Sequence, residues 1–208
     1  MNVLFYGDSI TDAGRKYELL HGEESYGYGY VKYVAEGLKQ RGWTDEQLLN
    51  RGISGNRIVD LYARIKADCW NHNPDFISIL IGVNDVWHEV EWKNGVELDR
   101  FEKMYRILIE DTKKALPNVK ILLCEPFVLK GTATEAKFEQ FEEVYKYAAI
   151  VAKLAKEYNL YFLPLQETLS KAAAGKEAEY LADGVHPAEA GAKLIAEEWL
   201  KVFEQVQQ

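Results

Sequence analysis

Four short apolar runs, at residues 2–6, 76–81, 119–124 and 160–163, punctuate an otherwise helical pattern. Each is continuous rather than alternating, as expected of a strand covered on both faces. A weaker run lies at 48–50. Helical spacing recurs between them. Val31, Val34, Ala35 and Leu38 mark 30–41 ahead of Gly42, and Ile58, Leu61, Tyr62 and Ile65 mark 57–70. Helices are also predicted over 98–116, stopped by Pro117, over 138–158 and over 188–206, the last with Leu194, Ile195, Trp199, Leu200 and Phe203 facing inward. Repeated strand–helix alternation predicts an α/β fold, a doubly wound parallel sheet with helices on both faces. With 208 residues and no linker or internal repeat, the chain reads as one domain, 1–208.

Open sheets of this kind place their chemistry beyond the C-terminal ends of the strands. Gly7-Asp8-Ser9-Ile10-Thr11-Asp12 begins where the first run stops and offers a small nucleophile there. Ser9 is either that nucleophile, weak until a base takes its proton, or a serine capping a helix. Only four histidines occur, and His186 lies three residues after Asp183, across Gly184. In Asp-x-x-His the carboxylate can accept from Nδ1–H, leaving Nε2 to face a nucleophile; the alternative is a capping Asp183 and a surface His186 before Pro187. The turn 50–56, containing Gly55, follows the second run, and Gly82-Val83-Asn84-Asp85 follows the third. A glycine N–H and an amide side chain there can serve as oxyanion donors, or act as an ordinary turn and helix cap.

These four segments, in this order, resemble the four blocks of the SGNH (GDSL-like) hydrolases, and the resemblance spans essentially the whole chain. The word Gly-Asp-Ser-Leu of that family reads Gly-Asp-Ser-Ile here. The resemblance implies Ser9 as nucleophile, His186 as base and Asp183 as its carboxylate. It implies an oxyanion hole of the Ser9 and Gly55 N–H groups with the Asn84 side chain. It also implies a flavodoxin-like, three-layer α/β/α fold with five parallel strands in the order 2-1-3-4-5. No metal or organic cofactor is needed for such chemistry.

Three stretches, 27–31, 51–56 and 81–87, resemble the acetylxylan-esterase-like branch of that family. Its substrates are acetylated sugars or short xylo-oligosaccharides, and many members are homo-oligomers. Trp87 and Trp92 fall in a stretch, 87–97, read as a long loop; either indole is a platform for a sugar ring or a core residue. The other long loop, 125–137, is expected to shape specificity as well. Arg57 either binds a substrate oxygen or pairs with an acid such as Asp85. Trp87, Asp8 and Arg57 are thus candidate substrate-binding residues. A lysophospholipase or acyl-thioesterase on the same machinery is the second enzyme reading. A flavodoxin-like module with FMN phosphate over 7–12 is disfavoured, because Asp8 and Asp12 put two carboxylates where the phosphate would sit.

A net charge of −8 without a basic patch argues against a nucleic-acid partner. No apolar run approaches a membrane span, no Asn-x-Ser/Thr sequon occurs, and Ser9 lies too near the start for a signal peptide, so a cytoplasmic protein is expected. The two cysteines, Cys69 and Cys124, suggest free thiols rather than a disulfide framework.

Overall fold

The computed structural model describes residues 1–207. Strands β1 (Val3–Gly7), β2 (Leu48–Gly52), β3 (Phe76–Leu80), β4 (Lys120–Cys124) and β5 (Tyr161–Leu163) form one parallel sheet in the order β2-β1-β3-β4-β5. Every residue of β1 and β3 is buried, which explains their unbroken apolar sequences.

Helices α1 (Ser9–Asp12) and α2 (Tyr30–Lys39) lead into β2, and α3 (Ile58–Asp68) leads into β3. Helices α4 (Val83–Trp92) and α5 (Leu98–Ala115) precede β4, and α6 (Phe138–Phe141) and α7 (Val144–Glu157) precede β5. Helices α8 (Gln166–Ala173), α9 (Glu177–Leu181) and α10 (Glu189–Gln207) close the chain. Helix α10 packs on α2, while α5 packs on α3 and α7. The first connection runs from β1 to β2 and the later ones run the other way, so right-handed crossovers place these two helix groups on opposite faces. The reversal opens a crevice at the C-terminal ends of β1 and β3.

One aromatic cluster ties α10 to the sheet. The Trp199 ring lies 5.2 Å from Phe5 and 4.7 Å from Phe203, which in turn lies 5.0 Å from Phe76. The buried indole N–H donates to Ser78 Oγ at 2.9 Å, so its polar atom stays satisfied.

The structure departs from the sequence reading in three places. Residues 87–92 belong to helix α4, not to a loop; Val83, Val86 and Val90 give it an inward face, and Lys93 ends it in the left-handed region at φ 53°. The helix expected over 138–158 is broken between α6 and α7, where Glu143 donates to the Gln140 carbonyl and Tyr145 to the Glu142 carbonyl in tighter, three-residue bonds. Helices α8 and α9, burying Leu169, Ala173 and Leu181, were not anticipated. Among the described residues no helix is long and apolar enough to cross a membrane. Cys69 and Cys124 are free and buried, and burial pushes both thiols up to about 12.

Candidate active site

The strand ends set the site. Gly7 pairs in register with Gly52 on one side and with Leu80 on the other, so the segments carrying Ser9, Gly55 and Asn84 leave the sheet side by side. Ser9 is the first residue of α1, where the backbone N–H groups have no partner within the helix. Asp8 caps that turn: its Oδ1 accepts the Ile10 N–H at 2.9 Å.

From the far end of the chain, His186 Nε2 lies 2.8 Å from Ser9 Oγ. His186 Nδ1 lies 2.6 Å from Asp183 Oδ2. Asp183 Oδ1 accepts the Val185 and His186 N–H groups at 2.9 and 2.7 Å, which folds the four-residue segment into a tight turn. The loop after β4 braces this turn. Leu129 N–H donates to the Gly184 carbonyl at 2.8 Å and Ala133 N–H to the Asp183 carbonyl at 3.1 Å. Burial by itself would raise the Asp183 carboxyl, but hydrogen bonds from the His186 ring and the two N–H groups hold it below its usual range. The bond to Asp183 raises His186 above its usual value, against the opposing effect of burial.

Across from this pair, the turn after β2 carries Gly55 at φ 81°, a conformation that favours glycine, although the space where a Cβ would stand is empty. Among the described residues the Gly55 N–H meets no backbone or side-chain acceptor. Asn84, 5% exposed near the start of α4, donates one amide hydrogen from Nδ2 to the Asn56 carbonyl at 3.1 Å, and among the described residues its second hydrogen has no acceptor. Arg64 holds the same turn from beneath, through Asn56 Oδ1 at 2.7 Å, the Arg51 carbonyl at 2.8 Å and the Gly7 carbonyl at 3.1 Å. A hydroxyl and an oriented imidazole therefore meet beyond β1, and candidate donors leave the two neighbouring strand ends. That arrangement can run an acyl transfer.

The other candidates fall elsewhere. Asp8 has no exposed surface with which to bind substrate, and burial pushes its carboxyl up to about 7. Asp85, also fully buried, has its carboxyl raised by burial, with Asp8 adding to the effect. Arg57 does not pair with Asp85: its Nε reaches Asp60 Oδ2 at 2.9 Å and its Nη1 the Asn94 carbonyl at 2.7 Å, while Asp85 accepts the Ile58 N–H at 3.1 Å. The local partner wins because Asp60 lies one turn along the same helix. Trp87 is half-buried, with its ring 5.9 Å from His186 and 5.8 Å from Phe141, so it walls the space beside the imidazole. Trp92 is 65% exposed, its ring against His88 at the end of α4. Sequence reasoning missed Arg64, although its i,i+4 pairing with Asp68 was there to be read.

Comparison with known proteins places this geometry. Residues 5–194 match the model of the GDSL-like lipase/acylhydrolase family. An acetylxylan esterase of Geobacillus stearothermophilus is 36% identical over 210 residues, covering 96% of this chain and 92% of the relative. A crystal structure of an acetylxylan esterase from that organism superposes with a TM-score of 0.83 at 34% identity, covering 97% of this chain and 93% of the other. Further structures of that esterase are catalytic mutants in which a serine or an aspartate is replaced by alanine. A structure from Parabacteroides merdae, assigned as a GDSL-like lipase, superposes with a TM-score of 0.90 at 37% identity, covering 97% of this chain and 94% of the other. Agreement over this much of the chain, in sequence and in fold together, means that the protein belongs to the GDSL-like lipase/acylhydrolase family and is a carboxylic ester hydrolase.

Proposed function

We propose that the protein removes acetyl groups from carbohydrates, with acetylated xylo-oligosaccharides or related sugars as substrates. The Ser9–His186–Asp183 relay is the observation that carries the mechanism. Ser9 Oγ bonds to the acetyl carbonyl carbon while its proton passes to His186 Nε2. The oxyanion takes hydrogen bonds from the Ser9 and Gly55 N–H groups and the second Asn84 amide hydrogen. Collapse breaks the bond to the sugar oxygen, which leaves with the proton from His186. A water then attacks the acetyl-Ser9 carbonyl, giving its proton to His186. Acetate departs, and Ser9 Oγ recovers the proton.

The likeness to acetylxylan esterases over nearly the whole chain supports the substrate class. The Trp87 indole beside His186 supports it independently, as a flat apolar wall suited to a sugar ring or an acetyl methyl. The deciding experiment is a profile on p-nitrophenyl esters from acetate to decanoate, followed by acetate release from acetylated xylo-oligosaccharides. A preference for acetate and turnover of the sugar are expected. A maximum at octanoate or longer would replace the sugar with a lipid or thioester.

Asn84→Ala is expected to lower kcat by about 10²–10³ with little change in KM, the usual loss for one oxyanion donor. Unchanged turnover would take Asn84 out of the oxyanion hole. A homo-oligomeric, cytoplasmic enzyme is part of the same proposal. Tyr28 and Trp92, 71% and 65% exposed, offer aromatic surface to a second copy, and the buried free thiols suit a reducing compartment. A monomer by light scattering, or protein held in the membrane fraction, would sink these two points.

A further inference from the structure

Asp12 is the last residue of α1, one helical turn after Ser9, and takes no part in the proton relay. It is only 2% exposed, yet four hydrogen bonds converge on it. Its Oδ2 accepts the Ser54 N–H at 2.9 Å, the Ser54 hydroxyl at 2.7 Å and the Tyr17 hydroxyl. Its Oδ1 accepts the Arg15 N–H at 3.3 Å. The carboxylate is thus bound to the residue immediately before Gly55.

The backbones touch at the same place. A Cβ on Gly52 would stand 2.3 Å from the Asp12 nitrogen, so only glycine lets the end of β2 come this close to α1. Arg15 Nε donates to the Gly52 carbonyl at 2.8 Å, and its guanidinium lies 4.2 Å from the centre of the Tyr17 ring. Asn84 and Arg64 hold the far end of the turn, at Asn56. Gly55 lies between these anchors, with no side chain of its own and nothing packed where one would stand. What aims its N–H is the grip on its neighbours.

We infer that Asp12 is a positioning residue: through Ser54 it fixes the Gly55 N–H relative to Ser9 Oγ, so that one helical turn carries the nucleophile at its start and the anchor of the oxyanion hole at its end. The inference rests on the serine-esterase reading above. It follows from the tolerance of such sites, since an oxyanion donor works at about 2.7–3.1 Å, and a displacement of about 1 Å can cost about 10² in rate.

The test is Asp12→Ala on p-nitrophenyl acetate, with Ser54→Ala and Ser9→Ala alongside. In Asp12→Ala, kcat should fall about 10²-fold while KM barely moves, because the ground-state ester makes little use of the donor. Affinity for a trifluoromethyl ketone, which forms a tetrahedral adduct, should fall by the same factor; a purely structural role would not couple the two losses. Ser54→Ala, which keeps the N–H bond and loses only the hydroxyl, should fall between wild type and Asp12→Ala. Wild-type kcat in Asp12→Ala would overturn the inference, as would a kcat loss without the matching loss of ketone affinity. If Asp12→Ala does not fold, Ser54→Ala, which weakens the same anchor without touching the carboxylate, is judged by the same paired losses. Activity persisting in Ser9→Ala would instead break the serine-esterase reading itself. An inert Ser9→Ala beside an unimpaired Asp12 variant would break only the present inference.

Discussion

Turnover of p-nitrophenyl acetate by Ser9→Ala is expected to drop about 10⁶-fold, the scale on which a serine nucleophile is lost. The protein should remain folded. The α1 turn is capped by Asp8 rather than by Ser9, and among the described residues the Ser9 side chain bonds only to His186. Removing the hydroxyl therefore deletes the attacking atom and little else. The Ser9 N–H survives, as do Gly55 and Asn84, so a residual acceleration of about 10³–10⁴ over water should persist. Single-turnover measurements on purified variant, with the unfolding midpoint as control, check this. Activity within about tenfold of wild type would exclude Ser9 as the nucleophile.

Asp183→Asn should cost about 10⁴ in kcat, through the proton position rather than the fold. An asparagine oxygen can still accept the Val185 and His186 N–H groups, so the turn persists. Its NH₂ would then face Nδ1, which forces the imidazole proton onto Nε2, where it blocks acceptance from Ser9. The pH profile carries a second signature. His186 is raised above 6.5 in the wild type, chiefly by its bond to Asp183. The base works when neutral, so kcat/KM should be lost as pH falls through that raised value, giving an acid limb above the ordinary histidine range. With the carboxylate gone, the limb should move down. A limb that stays in place would show that another group titrates there.

The buried strands were legible because burial on both faces leaves an unmistakable mark: β1 and β3 have no exposed position to fill with polar residues. Helix α4 was not, because it opens on Gly82, Asn84 and Asp85, residues that also make loops. Its apolar stripe, Val83, Val86 and Val90, is short. Arg57 illustrates a different limit. Asp85 was a sound partner by charge, but the Ile58 N–H at the start of α3 claims it, and a backbone donor leaves no trace in residue types. Residues 125–137, read as a specificity loop, also brace Asp183 and Gly184 through backbone bonds that residue types do not announce. At the site, the sequence showed which side chains end up near the strand ends. Two of those holding the turn in place, Asp12 and Arg15, act through bonds across 42 and 37 residues, beyond the reach of any local pattern, whereas Arg64 reaches Asn56 across only 8.

The docking of α10 has a temporal side. Ser9 and His186 stand 177 residues apart, so a ribosome makes the first long before the second. The turn bearing His186 leads directly into α10, whose Trp199 and Phe203 seat it against β1 and β3. The entropy of closing so long a loop makes such contacts slow to form. On the proposed mechanism, Ser9 would emerge long before its base, and the pair would close only once α10 had docked on the sheet.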